Sequence, residues 1–397
     1  MTVKQQLMTM LEARGDEIIS IRRHLHQHPE LSFEEQQTAQ YIAGFYEGKD
    51  VTVHRNVGNG YGIIVEIKGA KPGPTIGLRA DFDALPIEEQ ADVPFKSTNP
   101  GVMHACGHDG HTAYLLVLAD CLIELKDELS GTVKIIHQHA EEKPPGGAKS
   151  MMASGLLDDC DMIFGAHLFP SHDAGVVGYR AGHAMAGRAF FKLIVQGTGG
   201  HGSSPHQAND SIVAAANFVT TVQTVISRRL NPYDMGVVTI GSFDGRGTFN
   251  VIKDAVTLEG DVRYMKEDVR ELIEQEVKRI VHGLEVQFGV ACELAYETDY
   301  PPLVNDEKVV QLVVDALEAS GEKEIREVTE FPLFAGSEDF AYYALKKPSA
   351  FYYIGCKPEH TDVVYMNHHP KFDIDERALL VAAKAGAEVV ATLCLKA

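Results

Sequence analysis

A chain of 397 residues, 45% hydrophobic and 23% charged, is longer than one ordinary domain and too apolar for disorder, so two domains with full cores are expected. Its 36 Lys and Arg stand against 56 Asp and Glu, a formal charge of −20, which argues against a nucleic-acid partner. Six scattered cysteines, Cys106, Cys121, Cys160, Cys292, Cys356 and Cys394, have no framework spacing and read as reduced thiols.

From Met1 to Glu30 the chain is amphipathic and charged throughout, so neither a signal peptide nor a membrane anchor is expected, and the cytoplasm is the default location. Helical periodicity runs from Val3 to Arg23. Ser32 followed by Glu35 is a capping-box pattern that opens a second helix toward Phe45. The stretches "GYGIIVEIKG", "TIGLRAD", "TVKIIHQH" and "DMIFGAHL" are short, β-rich and separated by helical or Gly/Pro segments, which predicts an α/β fold around a mostly parallel sheet. Ligand sites gather where the strands of such sheets end. Three of these strands end in Asp81 and Asp83, in Glu141 and Glu142, and in His167.

Near His183 the pattern becomes strand (188–196), helix (210–228), strand (236–243), strand (255–264), helix (267–283) and strand (292–297). This βαββαβ order is the split-βαβ, ferredoxin-like arrangement, and its ends lie close together. It predicts an inserted domain at 184–299 within a discontinuous domain of 1–183 and 300–397. After "YPPLVND" the α/β pattern resumes with a helix near Val309, a strand at "SAFYYIG" and a last helix from Asp375 toward Leu393.

The densest chemical cluster is "MHACGHDGH", residues 103–111, where a thiol and three imidazoles share a glycine-containing loop that opens a helix. Cys, His and carboxylates are ligands of zinc and its transition-metal neighbours, and the glycines permit turns that let nearby side chains converge. In "HAEEKPPGG" two adjacent glutamates at a strand end repel unless a cation neutralises one or a proton is shared. A metal resolves the conflict: Glu142 turns inward as ligand, and Glu141 takes the proton of an activated water. Asp81 and Asp83 in "RADFDALP" are both able to orient a histidine through its second ring nitrogen. His167 in "FGAHLFP" reads equally as a buried core histidine, and His368 in "NHHPKFD" as an exposed loop residue.

In this order, "HLHQHPELSFEE", "LRADFDALP", "HACGHDGH", "HAEEKPPGGA", "GAHL", "GTGGHGSSPH", "GSEDFAYY" and "NHHPKFD" resemble the aminoacylase-type metallopeptidases over nearly the whole chain. The resemblance is strongest to the branch of hippurate hydrolases, bacterial N-acyl-amino-acid amidohydrolases and plant indoleacetyl-amino-acid hydrolases. It implies a zinc-peptidase-like catalytic domain with an inserted lid and dimerisation domain. It also implies two divalent ions held by Cys106, His108, Glu142, His167 and His368, with Glu141 as catalytic base and Asp83 as a supporting acid. His369, beside His368, is the competing imidazole; the family spacing to the proline favours His368. His201 in "GTGGHGSSPH" is implied to polarise the scissile carbonyl from a neighbouring subunit. Asn250 and Arg263 are implied substrate contacts, Arg263 through the two-pronged fit of a guanidinium to a carboxylate.

The implied reaction is hydrolysis of an N-acyl amino acid, with manganese, zinc, cobalt or nickel as the ions and a homodimer, or a tetramer, as the assembly; no nucleic-acid or membrane partner is expected. Two other readings stay open. One is a dipeptidase or aminopeptidase of the same clan, which would bind a free substrate ammonium; the other is a non-catalytic metal-binding protein on this scaffold, for which the retained Glu141 has no use.

Overall fold

The computed structural model describes residues 1–359 and 363–395. Two compact units emerge: Met1–Ala184 with Val304–Leu333 and the segment from Asp339 on, and Met185–Leu303 with Phe334–Glu338.

The first unit begins with α1 (Val3–Ala13) and α2 (Gly15–Gln27), where the periodicity predicted one run. The break falls at Arg14, whose guanidinium pairs with Glu17 and Asp120 instead of continuing the first helix. α2 buries Ile18, Ile21, Arg22, Leu25 and His26, one stripe at helical spacing with two ionisable residues inside it. α3 (Gln36–Phe45) follows, but the expected capping box does not form. The Glu30 carboxylate takes the amides of Gln37 and Thr38, while Ser32 and Glu35 turn to partners far along the chain.

An eight-stranded sheet forms the centre of this unit. Its strands β1 (Thr52–Val57), β2 (Gly62–Lys68), β3 (Lys71–Asp81), β4 (Ser130–Gln138) and β5 (Met162–Asp173) are joined by Val176–Tyr179, Glu327–Glu330 and Ser349–Lys357. The inner strands β4, β3, β5 and Ser349–Lys357 run parallel, whereas β1 and β2 pair antiparallel at one edge. Ser349–Lys357 is buried along almost its whole length, as an inner strand covered on both faces must be. α4 (His108–Glu124) is buried nearly all round and packs against β3, α2 and the last helix, Arg377–Cys394.

Register sets the site. Arg79 of β3 lies opposite Ile136 of β4 and Gly165 of β5, so Asp81, Gln138 and His167 reach the same level at the strand ends.

The second unit has the βαββαβ order read from periodicity. Its antiparallel sheet runs Gly236–Asp244, Ala255–Tyr264, Gly187–Gln196, Ala291–Thr298. Helices Ser211–Thr224 and Glu267–Phe288 pack on it. Alternate residues Ala189, Phe191, Leu193 and Val195 point into its core, the period-two burial of a one-faced sheet. No helix among the described residues is long and apolar enough to cross a membrane.

Candidate metal centre

The turn into α4 builds the first half of the site. Gly107 has φ 92°, a left-handed conformation open to glycine, and so separates Cys106 from the first helical residue, His108. The ligand atoms of Cys106, His108 and His167 lie within 4.8 Å of one another, with Cys106 Sγ 3.5 Å from His167 Nε2. Both imidazoles are oriented from behind. His108 Nδ1 donates to the Asp83 main-chain oxygen at 2.9 Å and faces its carboxylate at 3.2 Å; His167 Nδ1 donates to the Leu168 carbonyl at 2.8 Å. Each Nε2 lone pair is thereby turned toward the cluster.

The second half comes from the loop after β4 and from the segment around 368. Glu142 Oε1 is 3.1 Å from His368 Nε2 and 3.9 Å from His108 Nε2. Cys106, Glu142 and His368 form one group within 4.8 Å, and His108, Glu141 and Glu142 another. His368 adopts φ 70° and its amide donates to Ala105 at 2.7 Å, which ties its loop to the thiol segment. The neighbouring His369 turns elsewhere: its Nδ1 accepts from the Lys371 amide at 3.0 Å and its ring stacks on Tyr365.

This donor set fits a divalent cation. Burial and the Glu142 and Glu141 carboxylates push the Cys106 thiol well above its ordinary range, so a cation is what would make it a thiolate. Burial disfavours a charged His108, yet Asp81 and Asp83 reverse that and push it up to about 10, so cation and proton compete for Nε2. Burial and His111 hold His167 well below the usual imidazole range, the neutral form a ligand needs. His108 Nε2 is buried with no hydrogen-bond partner, an arrangement that costs free energy unless a cation satisfies it.

Of the three imidazoles in the 103–111 motif, His108 alone joins the groups with Cys106 and with Glu142, while His111 falls in a further group with Asp81 and His108. His111 Nδ1 donates to Asp81 at 2.6 Å while its Nε2 accepts the Leu168 amide at 2.9 Å, which uses both nitrogens. His104 is buried and stands 6.4 Å, ring to ring, from His26. Asp81 also pairs with Arg79 at 2.8 Å, and Arg79 with Asp339 at 3.1 Å, a buried network behind the ligands.

His201, Asn250 and Arg263 all belong to the second unit. The exposed His201 ring accepts the Ser203 amide at Nδ1, 3.2 Å away, so the proton of its neutral form is on Nε2. Asn250 is exposed, and Arg263 bonds Asp261 at 2.8 Å. The sequence reading missed Ser32 and Glu35 as parts of the site region, because their spacing matches a helix cap equally well.

A model of peptidase family M20/M25/M40 matches residues 77–392. The Bacillus subtilis (strain 168) protein YhaA is 43% identical over 390 residues, covering 98% of each chain. An N-acetyl-L-cysteine deacetylase of the same organism is 38% identical over 367 residues, 92% of this chain and 86% of that protein. The crystal structure of Bacillus subtilis YXEP, described as a dinuclear metal binding peptidase from the M20 family, is 33% identical with a TM-score of 0.81, covering 96% of this chain and 98% of that one.

Proposed function

The chain belongs to peptidase family M20/M25/M40, and from that premise we propose that it is a metal-dependent amidohydrolase cleaving N-acyl amino acids into a carboxylate and a free amino acid. The observation that carries the reading is the convergence of Cys106, His108, Glu142, His167 and His368 with Glu141 beside them. We assign the five as ligands of two divalent ions, drawn from manganese, zinc, cobalt or nickel. The ions, when bound, supply Lewis acidity toward water and the amide carbonyl.

The rest is done by the chain's own side chains. Glu141, buried and within 4.8 Å of the His108 and Glu142 ligand atoms, takes the proton from water as it attacks the carbonyl carbon and delivers it to the leaving nitrogen. Asp83 holds His108 in the ligating tautomer. His201, with its neutral proton on Nε2, is a hydrogen-bond donor suited to the developing oxyanion. Arg263 and Asn250 are assigned to the substrate carboxylate and amide. In this reading the inserted domain, 184–299, is the lid and dimerisation element of a cytoplasmic homodimer. Its sheet supports that role by ending in an edge strand, Gly236–Asp244, with exposed Val237 and Phe243.

Metal analysis combined with a substrate panel tests the reading. N-acetyl-methionine and hippurate should be hydrolysed, with activity lost on chelation and restored by a divalent metal. Cleavage of unblocked dipeptides alone would shift the assignment to a dipeptidase, and full turnover by metal-free protein would end it.

A further inference from the structure

The bend between α2 and α3 supplies none of the proposed ligands, yet two of its side chains are buried toward the site: Ser32 is 5% exposed and Glu35 0%. Ser32 Oγ donates to Asp83 Oδ2 at 2.7 Å. That same oxygen accepts the Glu142 amide at 2.9 Å. Glu35 Oε1 accepts the Ala140 amide at 2.8 Å. The two amides that flank Glu141 are therefore each held by a carboxyl group, one from Glu35 and one from Asp83.

Ala140 sits at φ 51°, in the left-handed region that residues with a Cβ rarely adopt. The surrounding structure must enforce that turn, and the Glu35 contact is what fastens its N–H. Without the acceptor, a buried amide is orphaned and the Ala140 backbone is released to a commoner conformation. Rotation there swings Glu141, the next residue.

We propose that Ser32 and Glu35 are positioning residues: Glu35 locks the left-handed Ala140 turn that aims Glu141, and Ser32 steadies the Asp83 carboxylate that holds both His108 and the Glu142 amide. The Glu35 half rests on the reading of Glu141 as the base; the Ser32 half concerns cation affinity alone. Glutamine keeps the side-chain oxygen that accepts the Ala140 amide, whereas leucine removes it at nearly the same volume.

The test uses the full-length, zinc-loaded protein with Glu35→Gln, Glu35→Leu and Ser32→Ala. It reads zinc content, zinc affinity by competition with a chelating dye, melting temperature, and kcat and KM on N-acetyl-methionine. Glu35→Leu should lower kcat about 100-fold, with KM and zinc content within about threefold of the parent, and Glu35→Gln should restore kcat to within about threefold. A purely structural role would lower the melting temperature without this split or this rescue. Ser32→Ala should weaken zinc binding about threefold, less than the loss of Asp83 itself, because Ser32 reaches the ligands only through Asp83. Parental kcat in folded, zinc-loaded Glu35→Leu would overturn the proposal, as would a Glu35→Gln variant as impaired as Glu35→Leu. If Glu35→Leu does not fold, Ser32→Ala decides, and unchanged zinc affinity there overturns it. A parent protein that binds zinc but hydrolyses no N-acyl amino acid would instead refute the functional reading, while the Ser32→Ala affinity remains readable.

Discussion

Replacing Asp83 by asparagine removes one charge and almost no volume, and its consequence can be worked out atom by atom. Asp83 Oδ2 accepts two donors, Ser32 Oγ at 2.7 Å and the Glu142 amide at 2.9 Å, while Oδ1 faces His108 Nδ1 at 3.2 Å. An asparagine has a single side-chain oxygen. The Glu142 N–H is an obligatory donor, so the carbonyl of the new amide must face it, and the NH₂ group then faces His108. Two donors now meet at Nδ1. The main-chain oxygen at 2.9 Å alone still favours the Nδ1–H form, and the new NH₂ opposes it, so the preference for the tautomer that leaves Nε2 free for a cation is weakened. Losing such a group behind a metal-ligating histidine weakens binding about 10- to 100-fold, or about 1.4–2.7 kcal/mol. Titration of metal-free Asp83→Asn with zinc against a competing chelator should therefore give a Kd raised by that factor, with the fold intact by circular dichroism. A Kd equal to the parent's would show that His108 is not held through Asp83.

Three further outcomes follow from the same geometry. Glu141→Gln should keep its metal content, since Glu142 and not Glu141 approaches His368, and lose about 10³-fold in kcat on N-acetyl-methionine; undiminished turnover would remove Glu141 as the base. Arg22→Met should destabilise the protein by about 3 kcal/mol in urea unfolding. Arg22 Nε bonds Asp109 at 2.9 Å with both side chains buried, and breaking such a pair leaves a carboxylate behind; a change under about 0.5 kcal/mol would contradict this. The pH dependence of stability should carry a Glu35 signature. Its carboxyl is raised by burial and Asp83 to about 8, so its contribution is fully present below the ordinary carboxylate pKa and is lost as pH rises through about 8. Glu35→Gln should remove that decline, and its stability relative to the parent should grow between about pH 4.5 and 9, by on the order of 1.4 kcal/mol per unit of pKa at most. Parallel pH profiles for the two proteins would refute it.

Much was legible from the residues alone, wherever cause and effect were local. Period-two burial in Gly187–Gln196 and the helical stripe of α2 are written in neighbouring residues, because backbone torsions and side-chain direction repeat over a few positions. The thiol and imidazole cluster at 103–111, and the two glutamates whose repulsion called for a cation, were visible for the same reason. Even so, Arg22 and His26 inside an otherwise apolar stripe marked a second ionic layer that only the fold interprets: His26 bridges Asp109 at 2.8 Å and Glu89 at 3.1 Å. Ser32 and Glu35 show the limit most clearly. Their spacing satisfies a helix cap, but the chain supplies better acceptors for α3 from Glu30 and sends the pair 51 and 105 residues away, to Asp83 and Ala140.

The resemblance favoured His368 over His369 by its spacing to the proline; what surrounds the two rings is a matter of tertiary structure, His368 taking a left-handed φ near Glu142 and His369 stacking on Tyr365. Residue types and short periods are properties of the chain itself, so most elements and the kinds of candidate ligand were legible in the sequence, while the split of the first helix at Arg14 was not. Which distant oxygen meets which amide depends on how parallel strands register and how helices dock upon them. The register of β3 on β4 brings Asp83 beside the turn around Glu141, and helix docking brings Glu35 there; both exist only once the sheet and helices have assembled.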